Sequence, residues 1–198
     1  MSKGSETRRR IIAEAAALFN QHGFEGSSMA ELMEATGLEK GGIYRHFSNK
    51  EELAAEAFDY AWQEALKART HDLDSIPNSV DRLKQFVANF VERRPSISGG
   101  CPLLNTAIDA DDGNLVLRNR VRHALRGWLN ELSSIIASGV EREEIRGEVN
   151  PKALAAIIVA SLEGGLMIRR LEKNDEAIRA VQAHLESYLE SEVRRRDS

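Results

Sequence analysis

Cysteine is almost missing from this chain. Cys101 is the only one in 198 residues, so no intrachain disulfide can form and a reducing, cytoplasmic setting is expected. Long apolar runs are missing too. The longest, around residues 153–160, is too short to span a bilayer. The opening MSKGSETRRR carries basic residues but no apolar segment of the secretory kind, so no membrane partner is expected. The basic excess usual in a nucleic-acid binder is also absent, because the net charge is −4. Residues 1–50 hold seven Lys/Arg against six Asp/Glu, a balance of +1, and the remainder holds twenty against twenty-five, a balance of −5. Charge alone therefore does not point to nucleic acid, although Arg8, Arg9, Arg10, Lys40, Arg45 and Lys50 can make one local basic face. No nucleophile–base–orienter set stands at a recognisable spacing and Cys101 has no motif partner, so no enzyme is expected. His22, His46, His71, His123 and His184 lack ligand spacing to acidic or cysteine neighbours, so neither a metal nor a cofactor is expected.

Period-two alternation and internal repeats are nearly absent, while period-3.6 patterning runs through the chain. The fold expected is all-α with about nine helices. At 42% hydrophobic and 29% charged, the composition is ordinary for a globular protein. A first helix is predicted over 6–22, with Ile11, Ile12, Ala15, Leu18 and Phe19 facing inward and Gly23 ending it. Ser28 and Glu31 form a capping-box pattern that opens a second helix, and Gly37 stands where a left-handed residue closes it. A third helix is predicted over 39–47. Asn49 with Glu52 repeats the capping-box pattern and opens a long fourth helix through Leu53, Ala57, Phe58, Ala61, Trp62 and Leu66. The loop 70–78, with Pro77, marks a break between the first part and a helical body. Body helices are predicted near 79–94, 102–109, 114–138, 151–171 and 175–196, with breaks at 96–100, 111–113, 146–150 and 172–174. A bend or restart is expected around Gly127.

Two short helices joined by a tight glycine turn are the basis of the helix-turn-helix, whose second helix enters the major groove of DNA. Here that second helix carries Lys40, Gly41, Gly42, Tyr44, Arg45 and His46. Lys40 and Arg45 are the long donors, and arginine pairs bidentately with guanine. Gly41 and Gly42 each cost helix stability, about 1 kcal/mol relative to alanine, and their use would be close approach of backbone to phosphate. Tyr44 and His46 can donate to phosphates, Ser28 places a hydroxyl at a helix N-terminus, and Lys50 lies within reach of the same backbone. The plainer alternatives are Tyr44 as a core aromatic, His46 as a helix C-terminal cap and Arg8–Arg10 as a solvated first turn.

With these residues in place, the stretch 6–53 resembles the N-terminal domain of the TetR family of transcriptional regulators. The matching segment is IIAEAAALFNQHGFEGSSMAELMEATGLEKGGIYRHFSNKEEL. It carries Gly23–Phe24 after the first helix and the family pattern K-G-x-[LI]-Y-x-[HY]-F-x-[NS]-K-E-x-L from Lys40 to Leu53. The resemblance implies a three-helix reader over 1–50 and an effector-binding, dimerising body over 51–198. It also implies contacts to double-stranded operator DNA from Ser28, Lys40, Gly41, Gly42, Tyr44, Arg45, His46 and Lys50. Two departures stand out. Gly42 replaces the hydroxyl or small side chain that many members carry, and Glu39 sets a carboxylate where a small residue is common.

The implied function is a ligand-responsive regulator, typically a repressor released from a near-palindromic operator by a small apolar effector. In the body, residues 153–170 are apolar around most of the helix circumference, and Ile178, Val181, Leu185, Tyr188 and Leu189 make one stripe. The resemblance assigns a homodimer interface to these last two long helices. Candidate effector-pocket residues are Phe58, Trp62, Phe86, Phe90, Leu103, Leu104, Trp128 and Met167, with Asn105, Asp109 and Glu163 as polar handles. The phrase GGCPLLNTAIDADDGN resembles a subgroup that regulates drug-resistance and catabolic genes. Cys101, at a helix N-terminus, has the alternatives of a redox or electrophile sensor and a packed small residue. A helical interaction module without DNA binding is the remaining alternative.

Overall fold

The computed structural model describes residues 2–110 and 113–196. Among them are nine α-helices and no strand, only an isolated antiparallel bridge between Ile145 and Arg194. Most of the expected break at 111–113 (Asp111 and Asp112) lies outside the described residues. The chain forms two compact units. One comprises Met1–Ala65 with Pro95–Ala124, the other Leu66–Arg94 with Leu125–Ser198.

In the first unit, α1 (Lys3–His22) starts a turn earlier than its apolar pattern suggests, because the Ser2 hydroxyl accepts the Ser5 N–H. Ser28 and Glu31 cap α2 (Met29–Thr36) reciprocally, and Gly37 closes it at φ 64°, a left-handed conformation that side chains with a Cβ rarely adopt. Helix α3 (Lys40–Tyr44) is shorter than expected: Glu39 is its N-cap but makes no side-chain cap bond. Helix α4 (Lys50–Arg69) begins with a variant of the expected box. Asn49 Oδ1 accepts the Glu52 N–H at 2.7 Å, but the Glu52 carboxylate reaches one residue further back, to the Ser48 N–H at 2.6 Å. Ile11, Ala15, Leu32, Ile43, Phe47, Leu53 and Ala57 form one buried core, which fixes the angles among these four helices. Pro102 at the first turn opens α6 (Pro102–Asp109), which packs on α1.

In the second unit, α5 (Ser79–Glu92) packs on α8 (Pro151–Glu172) and α9 (Glu176–Tyr188), and α8 packs on α9. Helix α7 (Leu115–Glu141) is continuous, without the break expected at Gly127. That glycine is exposed, and a Cβ there would meet nothing. Gly165 does matter to packing, since a Cβ there would come within 2.8 Å of Ile178. The last helix does not run to 196 as expected. After Tyr188 it widens into one π turn, Leu189–Val193, and the tail leaves to pair with residues 144–146: Arg146 N–H donates to Val193 O and Arg195 N–H to Glu144 O. The wide turn keeps Leu189 and Val193 both buried.

The apolar run at 153–160 lies within α8. By length and composition this 22-residue helix is the one described helix apolar enough to cross a bilayer. Its Leu154, Ile158 and Leu162 side is buried, which is how a core helix of the unit behaves. Its opposite side carries Ile157, Met167, Ile168 and Leu171, each at least 41% exposed, with exposed Ala160 in the same stripe.

Candidate nucleic-acid interface and effector core

Helix α3 is held from behind and open in front. Ile43, 1% exposed, locks its back into the core, while Lys40, Gly41, Tyr44 and Arg45 face solvent on the other side. Tyr44 is 37% exposed, so the core alternative does not hold for it. The Lys40 ammonium lies over its ring, 5.9 Å from the centroid. His46 is half-buried beside Phe47, and its backbone N–H donates to Ile43 O. A Cβ on Gly41 would meet nothing, and one on Gly42 would make only ordinary contact with Leu38. Neither glycine is needed to pack the protein itself.

Three expected donors have other work. Arg8 forms a paired contact with Glu56, at 2.5 and 2.6 Å, and lies over the Phe47 ring, tying α1 to α4. The Glu56 bond raises its pKa, and Arg8 leaves the basic face predicted for it. Lys50 turns inward and donates to Phe24 O at 2.5 Å, its ammonium 4.4 Å from the Phe24 ring centroid. A phosphate contact from Lys50 would require breaking that bond. Ser28 has its N–H and hydroxyl on the Glu31 carboxylate, at 2.7 and 2.8 Å, so a carboxylate already occupies the anion position at the start of α2.

The two capping carboxylates make the reader sensitive to acid. The Ser28 backbone N–H lowers the pKa of Glu31, and the Ser48 backbone N–H lowers that of Glu52. Each folded-state pKa lies below its unfolded value. The stability that the caps confer is therefore complete above the ordinary glutamate pKa of about 4.3 and is lost as pH falls through the lower folded values. Replacing both by glutamine is expected to flatten the fall in the denaturant midpoint between pH 6 and pH 3. An unchanged slope would contradict this assignment.

The eight effector-pocket candidates are divided between the two units. Phe58, Trp62, Leu103 and Leu104 belong to the first unit, and Phe86, Phe90, Trp128 and Met167 to the second. Phe58 lines a cavity of about 20 Å³ together with Phe19, Asn20, Phe24, Asn105 and Asp109. That is room for a water, not for a drug-sized ligand. The polar handles there are structural. Asp109 accepts the Phe24 N–H at 2.6 Å, and Asn105 donates to Asn20 O and Gly99 O. Met167 is 48% exposed on the outer side of α8. Phe86, Phe90 and Trp128 do come together, with ring centroids 6.0 and 6.3 Å apart around the tryptophan. Glu163 is buried beside them and pairs with Arg69 at 3.5 Å. Cys101 is 2% exposed, which fits the packing alternative and not an accessible sensor thiol.

Sequence reasoning passed over Arg69 and Asn20, both buried. The signal for Arg69 was its register: Phe58, Trp62, Ala65 and Arg69 fall on one side of α4. Asn20 has no comparable signal, since it matters through the carbonyls of the distant 98–100 loop that its side chain holds.

Comparison with known proteins decides the family. Residues 11–57 match the family model described as bacterial regulatory proteins, tetR family, and residues 79–185 match a tetracyclin repressor-like C-terminal domain. The chain is a member of the TetR family. A TetR regulator from Chloroflexus aurantiacus is 42% identical and superposes with a TM-score of 0.94, over 99% of this chain and 100% of that one. A TetR-family regulator from Cytophaga hutchinsonii is 34% identical, with a TM-score of 0.91 over 100% and 99% of the two chains. The transcriptional repressor DhaR of Mycobacterium sp. strain GP1 is 24% identical over 86% of each chain. The protein is accordingly a ligand-responsive, DNA-binding transcriptional regulator.

Gly41 can be tested directly for close approach to DNA. Gly41→Ala is expected to raise folding stability by up to about 1 kcal/mol, since it improves helix propensity in open space, and to weaken DNA binding by placing a methyl group against the duplex. Thermal melting and gel-shift titration of the same preparation check this. Stability and affinity moving in the same direction would mean that Gly41 does not approach DNA.

Proposed function

We propose that the protein is a cytoplasmic homodimeric repressor that binds a near-palindromic operator and leaves it when a small effector binds the body. Residues 1–50 read DNA, and 51–198 carry effector response and dimerisation. The observation that supports this best is the two-sided character of α3, with Ile43 buried behind and Lys40, Gly41, Tyr44 and Arg45 exposed in front. Gly42 lines the same approach, and Ser28, His46 and Lys50 set its edges, Lys50 chiefly by holding the Phe24 carbonyl.

The exposed stripe Ile157, Ala160, Met167, Ile168 and Leu171 on α8, with Tyr188 on α9, is the surface assigned to the partner subunit. Large apolar side chains are unfavourable in water, and a two-fold mate covers them. Dimerisation also accounts for a near-palindromic site, because twin readers demand twin half-sites. The effector acts by preferring the state in which α4 has shifted, since only a difference in affinity between two states moves an equilibrium. The effector core is the cluster of Phe86, Phe90 and Trp128.

Selection of bound DNA from a random pool, followed by gel shift across salt concentrations, tests the reading. A two-fold sequence motif and a steep loss of affinity with salt are expected. Recovery of no sequence preference, or of a monomer at micromolar concentration, would reject it.

A further inference from the structure

Helix α4 ends in a buried arginine. Arg69 is 4% exposed, and its guanidinium carbon lies 4.6 Å from the Phe90 ring centroid and 4.6 Å from that of Trp128. Glu163, 7% exposed, is 3.5 Å from Nη2. The backbone here is fastened separately. Asn89 Nδ2 donates to the carbonyls of Arg69 and His71, at 3.1 and 2.8 Å, so the helix end has a backbone anchor besides the arginine side chain. Two aromatic faces and a carboxylate around one cation are the elements of a receptor for an organic cation. In this chain an internal side chain occupies that receptor.

We infer that the effector is an organic cation with a compact apolar body, an alkyl- or arylammonium, amidinium or guanidinium, which takes the place of the Arg69 guanidinium against Phe90, Trp128 and Glu163. This rests on the reading of the protein as an effector-released regulator and names the class of effector. A buried charge gives up its hydration, and its pairing only partly offsets that loss. Arg69 regains water on leaving. A free cation with an apolar body adds burial of that body to the same charge contacts, and this contribution favours the exchange. The exit is short: the chain after Arg69 turns at once to exposed His71 and Asp72. An anion would meet the Glu163 carboxylate and the negative faces of the rings. A neutral molecule displacing Arg69 would strip Glu163 of the cation it faces. The consequence for DNA follows from continuity, because Arg69 is the last residue of the helix that begins at Lys50. Ejecting its side chain from the cage removes one of the anchors that hold that helix end.

The test uses the full chain and two probes of one shape, phenethylguanidinium chloride and uncharged phenethylurea. Arg69→Ala empties the cage. It is expected to bind phenethylguanidinium at least tenfold more tightly than the wild type does, and at least tenfold more tightly than phenethylurea, by calorimetry. Adding Glu163→Gln should erase the preference for charge. In the wild type, saturating phenethylguanidinium should lower affinity for a selected operator at least tenfold, and phenethylurea should not. Should Arg69→Ala not fold, Phe90→Leu keeps the ion pair and removes one ring face, and it should weaken phenethylguanidinium binding at least fivefold. Equal affinity for the two probes, or unchanged binding in Phe90→Leu, overturns the cage. Charge-selective binding that leaves operator affinity unchanged overturns the effector role. Unliganded protein is titrated in the same assay. Failure of the regulator reading would show as no DNA complex, whereas failure of this inference would show as a complex indifferent to the cation.

Discussion

Arg45→Ala is expected to weaken operator binding by about 1–3 kcal/mol per half-site, roughly 5- to 150-fold, and to relax the preference at one base position. In a two-fold complex both half-sites lose the contact, so the effects multiply. Arg45 is exposed on the open side of α3, next to Tyr44 and one turn from Gly41, and no other residue of that short helix matches its reach and forked donor set. A guanidinium reading guanine edges loses sequence information when removed, whereas one resting on phosphate loses only affinity and about one unit of salt slope. Gel-shift titrations against the selected operator and against point-substituted versions separate the two. A loss of equal size on every sequence would assign Arg45 to the DNA backbone. Lys40, whose ammonium leans on the Tyr44 ring, serves as the internal comparison.

Trp128→Ala is expected to lower folding stability by about 3–5 kcal/mol, the upper end of what one side chain contributes. Trp128 is 2% exposed, contacts the Phe86 and Phe90 rings and supports the Arg69 guanidinium. Its removal leaves a void among aromatic rings that cannot close without moving α5 or α7. A buried cation also loses one of its two aromatic faces, adding an electrostatic penalty to the cavity cost. Guanidinium denaturation should show a much lower midpoint with little change in slope. A shift under 1 kcal/mol would mean that the cluster repacks freely and that the cage is not rigid. The two predictions are read out separately, one as DNA affinity and the other as folding stability.

The reader was legible because local rules decide it. Ser28 and Glu31 cap as their spacing requires, and Gly37 adopts the left-handed conformation assigned to it. Ile43 is apolar on an otherwise polar short helix and so reveals which side is buried. The proposed effector core was only half legible. Phe86 and Phe90 stand four apart and announce a shared face, but their meeting with Trp128 depends on α7 passing α5, which no short-range pattern encodes. Arg69 was hidden by a general rule, that arginine sits outside, which a buried carboxylate and two rings overrule. Lys50 and Arg8 show the opposite effect. Both look like free cations in sequence, and each finds a partner only through folding, the Phe24 carbonyl and the Glu56 carboxylate. The end of α9 depends likewise on a distant strand-like pairing with residues 144–146.

The burial of Cys101 has a practical corollary. A chain whose lone thiol is sheltered offers a clean background for attaching spectroscopic probes at will. In the proposed homodimer, Ala30→Cys, on the exposed side of α2, would place one nitroxide on each copy of the reader. The span between the two labels would then serve as a ruler for following operator release in solution.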